Sequence, residues 1–168
     1  ARGGGDRGMT NDPASPVCSA AQADDVYMGY AGRDEIVAAL NELLEAERAG
    51  ARVALASSKG KFSADITALM QAVRVDEARW CAMLSRQLKR LHVVPSSTTG
   101  AFYGKAMAID APLERLAFLN RGQAWVVRKI EALLPRVRDD ALHRDLRDML
   151  ENHQSNIAHT QTLLDGAA

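Results

Sequence analysis

Residues 40–51 read Leu-Asn-Glu-Leu-Leu-Glu-Ala-Glu-Arg-Ala-Gly-Ala, and residues 73–80 read Val-Arg-Val-Asp-Glu-Ala-Arg-Trp. Both carry apolar residues at helical spacing, and in both a glutamate falls on the apolar stripe. Glu47 follows Leu40, Leu43 and Leu44 and precedes Ala51 on one face, while Glu77 lies four residues after Val73 and three before Trp80. A charge on a buried stripe is costly unless it has a partner. The fold and the function of this chain both follow from why these two glutamates are there.

Extending the first stripe through Ile36, Leu40, Leu43, Leu44, Ala51 and Leu55 predicts a helix that opens near Asp34 as its N-cap and ends at Lys59-Gly60. Gly60 suits a left-handed C′ position. The second stripe, Ile66, Leu69, Met70, Val73, Trp80, Leu84, Leu88 and Leu91, predicts a helix starting around Ser63 or Asp65. Residues 93–111 are rich in Pro, Ser, Thr and Gly and read as a long connection with one helical turn near Ala106 to Ile109. A third helix opens at Asp110-Ala111-Pro112 and runs through Leu113, Leu116, Leu119, Val126, Val127, Ile130 and Leu134 until Pro135 stops it. A fourth, capped by Asp139 or Asp140, carries Leu142, Leu146, Met149, Leu150, Ile157, Thr160 and Leu163, with Gly166 as terminator.

Four such helices, each roughly 33 to 42 Å long at 1.5 Å per residue, make an all-α four-helix bundle. The connections are short, long, short. About 18 extended residues reach some 60 Å, enough to carry the chain along the bundle and set the third helix parallel to the second. The bundle is expected over residues 32–166. Residues 1–31, which are Gly-, Ser-, Asp- and Ala-rich, form an N-terminal arm that is mobile at first, with Met9 as a candidate start and Val26 to Tyr30 as an apolar clasp.

The remaining two helices repeat the pattern of inward polar residues. Asn120 and Gln123 fall between Leu116 and Val127, and His153 falls between Met149 or Leu150 and Ile157. Glu47 precedes Glu77 by thirty residues and Gln123 precedes His153 by the same interval, as two similar helical hairpins require.

On these residues the chain resembles the ferritin-like superfamily, including rubrerythrins and bacterioferritins, over roughly residues 34–164. The resemblance implies a ferritin-like four-helix bundle with a long crossover between helices two and three. It also implies a metal site in which helices one and three each supply a Glu and helices two and four each a Glu-x-x-His pair. Glu47 stands in the helix-one glutamate position and Glu77 in that of helix two, but Trp80 stands where its histidine belongs. His153 matches the helix-four histidine, with Leu150 in the glutamate position, and Gln123 replaces the helix-three glutamate. The motif is degenerate. A similar arrangement of LNxLLEAERAGAR, DEARW, GxFYxKA and LNRGQAWVVRK marks a group of small bacterial proteins that this chain also resembles, a resemblance that brings no activity with it.

Two functions stay open at this point. In one, Glu47, Glu77 and His153, with Asp76 and Gln123 as auxiliary donors, hold a single iron or manganese ion in the manner of a two-carboxylate, one-histidine site. In the other the bundle is a metal-free interaction or assembly module. The glutamates then pair with Arg48, Arg79 or Arg128, His153 bonds Gln123 or Asn120, and a homodimer forms through Phe118, Trp125 and the Tyr27 to Tyr30 clasp.

Composition narrows the remaining classes. The chain has 168 residues, 47% of them apolar, and 21 basic residues balance 21 acidic ones, interleaved throughout, which leaves no basic face for nucleic acid. No apolar run approaches the ~18 residues of a membrane span and no hydrophobic leader precedes the bundle, so a cytoplasmic protein is expected. Cys18 and Cys81 form no C-x-x-C pair, and Cys81 reads as a small core residue. His92, His143 and His159 have no ligand-like spacing, and Ser96 to Thr99, Phe102, Tyr103 and Lys105 can cover a pocket.

Overall fold

A computed structural model describes residues 24–167; the Met9 start and Cys18 lie outside the described residues, as does most of the N-terminal arm. The helices are α1 (Arg33–Ser57), α2 (Ala64–Arg90), the short α3 (Phe102–Met107), α4 (Pro112–Leu133) and α5 (Asp140–Ala167), with a 3-10 turn, Leu134–Arg136, after α4. Among the described residues there are no strands.

Contacts at one end of the bundle fix the topology. The backbone N–H of Ala31, just before α1, donates to Arg136 beyond the end of α4 (2.8 Å), and Arg33 donates to the carbonyl of Leu91 at the end of α2 (2.6 Å). Arg90, in the last turn of α2, reaches Asp139 at the head of α5 (3.2 Å). The starts of α1 and α5 therefore meet the ends of α2 and α4, so α2 and α4 run parallel. Helix α1 packs on α2 and on α4, and α5 on α4 and on α2. Successive helices α2 and α4 thus sit diagonally, and residues 91–111 return along the outside of α1, as the crossover requires.

The helix boundaries show where local chemistry decides and where packing overrides it. Ser63 caps α2, its hydroxyl accepting from the Ile66 N–H, and Pro112 occupies the first turn of α4. Asp139 caps α5 through the Leu142 N–H (2.7 Å). Asp34, expected as a cap, lies instead inside the first turn of α1. The N-cap is Gly32 with no side-chain bond, because the tertiary anchors at Ala31 and Arg33 set the start. Gly60 closes its turn without a left-handed conformation, and Gly166 lies within α5 and does not end it. The left-handed position is taken by His92 (φ 58°) after α2. Its N–H donates to Lys89 and that of Val93 to Leu88, a Schellman closure with histidine where glycine is usual, which gives His92 a structural role.

The core is split in two. One apolar cluster holds Leu40, Leu43, Leu44, Trp80, Leu84, Ile130 and Leu146, and the other holds Val53, Ile66, Leu69, Val73, Leu116 and Leu119. Along each long helix the residue between the two clusters is polar: Glu47, Glu77, Gln123 and His153. All four are buried. Tyr27 and Met28 do not close as a clasp; they are 90% and 71% exposed.

Candidate functional site

The polar layer is one connected centre. His153 stands on α5 with Nδ1 2.9 Å from the carbonyl oxygen of Met149 and Nε2 3.0 Å from Glu47 Oε1. A carbonyl only accepts, so Nδ1 carries a proton and donates. The other nitrogen then either donates to the Glu47 carboxylate as imidazolium or offers its lone pair. Burial alone would lower the His153 pKa, but the charge and hydrogen bond of Glu47 outweigh it and raise the value above 6.5. In this geometry the imidazolium donates to the carboxylate.

Glu77 is the second half of the centre. Its Oε1 accepts a long 3.4 Å bond from the Gln123 amide, and its pKa is raised well above 4.5. Burial is the largest cause; the negative charges of Glu47 and Asp76 add to it, and the Gln123 bond offsets part. Burial thus favours the protonated form of Glu77. Both shifts act to limit buried charge: an imidazolium at His153 offsets the Glu47 carboxylate, and a protonated Glu77 adds none.

Five buried side-chain atoms lack a partner among the described residues, and all are oxygens: Glu47 Oε2, Glu77 Oε2, Gln123 Oε1, Asn120 Oδ1 and Ser57 Oγ. The first three belong to the centre. Glu47 Oε2 and Gln123 Oε1 are acceptors, and Glu77 Oε2 accepts when the carboxyl is ionised and donates when it is protonated; a buried polar atom left without a partner costs about 1–3 kcal/mol.

The arginines expected as partners go elsewhere. Arg48 donates to the backbone carbonyls of Ser96 (2.8 Å) and Thr98, tying the crossover to α1, and Arg79 lies over the Trp80 ring. Among the described residues neither buried glutamate pairs with an arginine. Asn120 does not meet His153; its amide reaches the Ile157 carbonyl at 3.4 Å. Asp76 is turned to α5, where the amides of Asn152 (3.1 Å) and Asn156 (3.0 Å) hold it. Trp80 joins the same network, its indole N–H donating to Asn152 (2.8 Å), so the residue in the histidine position is both a core filler and a fixed donor. His92 and His159 are exposed and His143 half-buried, away from the centre.

Two glycines that the sequence reading passed over shape the site. A methyl group at Gly50, in the middle of α1, would lie 2.6 Å from Glu77 Oε2, so the carboxylate occupies space that only glycine leaves. A methyl group at Gly122 on α4 would lie 2.6 Å from the Phe102 ring, which α3 lays into the bundle and stacks on Phe118 at 4.9 Å between centroids. Phe118 is half-buried, one face of its ring lying against Phe102. An isolated glycine inside a helical pattern is the signal that was available. Above Glu47, Glu77 and Gln123 lies a cavity of about 340 Å³, roofed by Thr99 to Phe102 and walled by Leu119, Trp125 and Val126.

The donor set can be tested against a ferritin-type metal pair. A bridged pair of ions needs about four carboxylates and two imidazoles. Here Trp80 and half-buried Leu150 occupy two of those positions and Gln123 a third, so two ions do not fit. One ion does fit the chemistry of the donors: two carboxylates with unmet oxygens, an amide oxygen and an imidazole whose Nδ1 is already anchored to a carbonyl, as in metal-ligating histidines. The protein's contacts as they stand satisfy His153 through Glu47, and among the described residues no group of three or more His, Cys, Asp or Glu is placed so that it could hold a metal ion.

Comparison with solved structures gives the same architecture. A ferritin-like, diiron-carboxylate protein from Bacillus anthracis str. Ames superposes with a TM-score of 0.70 at 16% identity, covering 79% of this chain and 96% of that one. At that identity the likeness establishes the fold, which is ferritin-like. No curated protein matches the sequence. The sequence of residues 34–162, which takes in nearly the whole bundle and all four residues of the buried centre, matches the family described as Domain of unknown function (DUF6306), and the chain belongs to that family.

Proposed function

We propose that this ferritin-like bundle binds one divalent cation, iron or manganese, at Glu47, Glu77 and His153, with Gln123 as an auxiliary oxygen donor. The observation that carries the reading is the set of unmet oxygens: Glu47 Oε2, Glu77 Oε2 and Gln123 Oε1 are buried around one centre with no hydrogen-bond partner among the described residues. Charge supports a divalent ion in particular. The folded protein favours the protonated forms of His153 and Glu77, and a 2+ ion that replaced one proton on each would leave the buried charge unchanged, which avoids the cost of an uncompensated charge in the core.

Such an ion would supply Lewis acidity or one-electron chemistry to a small molecule in the adjoining cavity. The chain's own part is to anchor the imidazole through Met149, to exclude bulk water with Phe102 and the crossover, and to keep Glu77 in register against Gly50. Asp76 takes no direct part in this reading, being held by Asn152 and Asn156. Elemental analysis of protein purified without chelator is the test. About one iron or manganese per chain, lost in Glu77→Gln, supports the reading; protein that neither retains nor takes up either metal removes it.

A second reading, assembly as a metal-free homodimer, draws on a different observation. Val26, Tyr27 and Met28 are 60%, 90% and 71% exposed in sequence, an apolar knuckle beside the head of α1. Light scattering on the full chain and on Tyr27→Ser with Met28→Ser tests it: a dimer that dissociates in the double variant supports it, and a monomer in both opposes it.

A further inference from the structure

The cavity above the centre has a chemical character of its own, which goes beyond the metal reading and does not depend on it. At about 340 Å³ it exceeds the ~150 Å³ that accepts benzene in an engineered protein core. Its walls are Ala46, Leu119, Val126 and the rings of Phe102 and Trp125, and Glu47, Glu77 and Gln123 form its buried polar part. Two more carboxylates, Glu42 and Glu45, line it as well, Glu42 paired with Lys129 and Glu45 accepting from Ser96 and Thr98. Among the described residues no Lys or Arg lines it.

The unmet atoms in this lining are all oxygens, and with Glu77 ionised, as beside a bound cation, all three accept. A guest with a carboxylate or carbonyl head would bring oxygens to oxygens. A primary ammonium brings three donors and no acceptor, which matches Glu47 Oε2, Glu77 Oε2 and Gln123 Oε1. The two aromatic rings suit the rest of such a guest, through burial of an apolar body. We infer that the cavity is a binding site for a small primary amine with an aromatic or compact apolar body, the ammonium donating to Glu47, Glu77 and Gln123 and the body lying against Phe102 and Trp125.

The amine and a metal ion would use the same oxygens, so they compete, and the two readings fail separately: metal content is read in protein never exposed to chelator, amine binding in the stripped full-length chain. Titration calorimetry of the stripped protein with benzylamine, benzyl alcohol and benzoate is the experiment. Benzylamine is expected to bind at least roughly tenfold more tightly than benzyl alcohol, the margin of charge-assisted over neutral hydrogen bonds, with benzoate weakest. Glu77→Gln should lose that margin while retaining wild-type helicity, and Ala46→Leu, which narrows the cavity and leaves the acceptors alone, should weaken amine and alcohol alike. Manganese should displace the amine if the protein takes up the metal. Equal binding of amine and alcohol, no binding of benzylamine, or amine binding that both substitutions leave intact would each overturn the inference.

Discussion

The carboxylate of Glu77 on α2 rests against the backbone of Gly50 on α1, so closely that a methyl group at position 50 would stand 2.6 Å from Oε2 and 2.7 Å from the carboxyl carbon. In an exposed helix interior, Gly→Ala stabilises by about 1 kcal/mol. Here the sign should reverse. Gly50→Ala is expected to lower stability by about 1–3 kcal/mol, the usual cost of overpacking, because the displaced atoms are a buried carboxylate and not a flexible apolar end. Denaturant unfolding of Gly50→Ala in the wild-type and in a Glu77→Ala background checks this. The substitution should be destabilising in the first and neutral or stabilising in the second; additivity would contradict the contact.

Glu47 and His153 form a pair with almost no exposure, 3.0 Å apart. His153→Ala removes one member and leaves the Glu47 charge buried without a donor. Breaking such a pair costs about 3–5 kcal/mol, and the same loss is expected here from equilibrium unfolding in urea. His153→Gln, which keeps a donor, should recover part of it. A loss under about 1 kcal/mol for the alanine variant would mean that the pair is not buried as described.

The pH dependence of stability follows from the same centre. The folded-state pKa values of Glu77 and His153 both lie above their ordinary values of 4.5 and 6.5, in each case favouring the protonated form in the folded protein. Their stabilisation is complete below the ordinary value and is lost as pH rises through the raised one. Metal-free protein should therefore lose stability from above pH 4.5 toward the alkaline side. Asp139 and Glu45 act in the opposite direction. The Leu142 N–H chiefly lowers Asp139 and the Ser96 hydroxyl chiefly lowers Glu45, so their contributions fade on acidification. Urea midpoints across pH 5 to 9 in the presence of chelator should fall with pH, and Glu77→Gln should flatten the fall. A rise with pH over that range would contradict the assignment of both protons.

Cys81 sits beside the centre on α2, and its thiol pKa is pushed up to about 12, first by burial and then by the charge of Glu47. Little thiolate exists near neutral pH, and the thiolate is the reactive form. A maleimide or disulfide reagent at pH 8 should leave Cys81 unmodified in the folded protein and label it only on unfolding. Mass spectrometry of the peptide around Cys81 reads this directly; rapid labelling of native protein would show the position to be open.

What could be read without coordinates depended on the kind of interaction. The four inward polar positions followed from helical period alone, because a shift of two residues would have turned Glu47 or His153 to the opposite face of its helix. The length of residues 93–111 allowed a crossover without requiring one, and contacts such as Ala31 with Arg136 and Arg33 with Leu91 show that it makes α2 and α4 parallel. Partner choice was not legible. Which of several arginines a buried glutamate takes depends on where the long side chains go, and Arg48 goes to the crossover backbone, a segment with no periodic pattern to place it. The roles of Gly50 and Gly122 were hidden for a related reason, since each glycine answers to a side chain far along the chain, Glu77 and Phe102.

The central claim, that Glu47, Glu77 and His153 make one buried centre for a single divalent ion, is tested most directly by counting protons. Titrating manganese into stripped protein in two buffers of different ionisation enthalpy gives both the stoichiometry and the protons released. The account predicts about one ion per chain with net proton release from His153 and Glu77, binding and release both abolished by Glu77→Gln. Absence of binding, or binding without proton release, as at surface carboxylates already ionised, would contradict it.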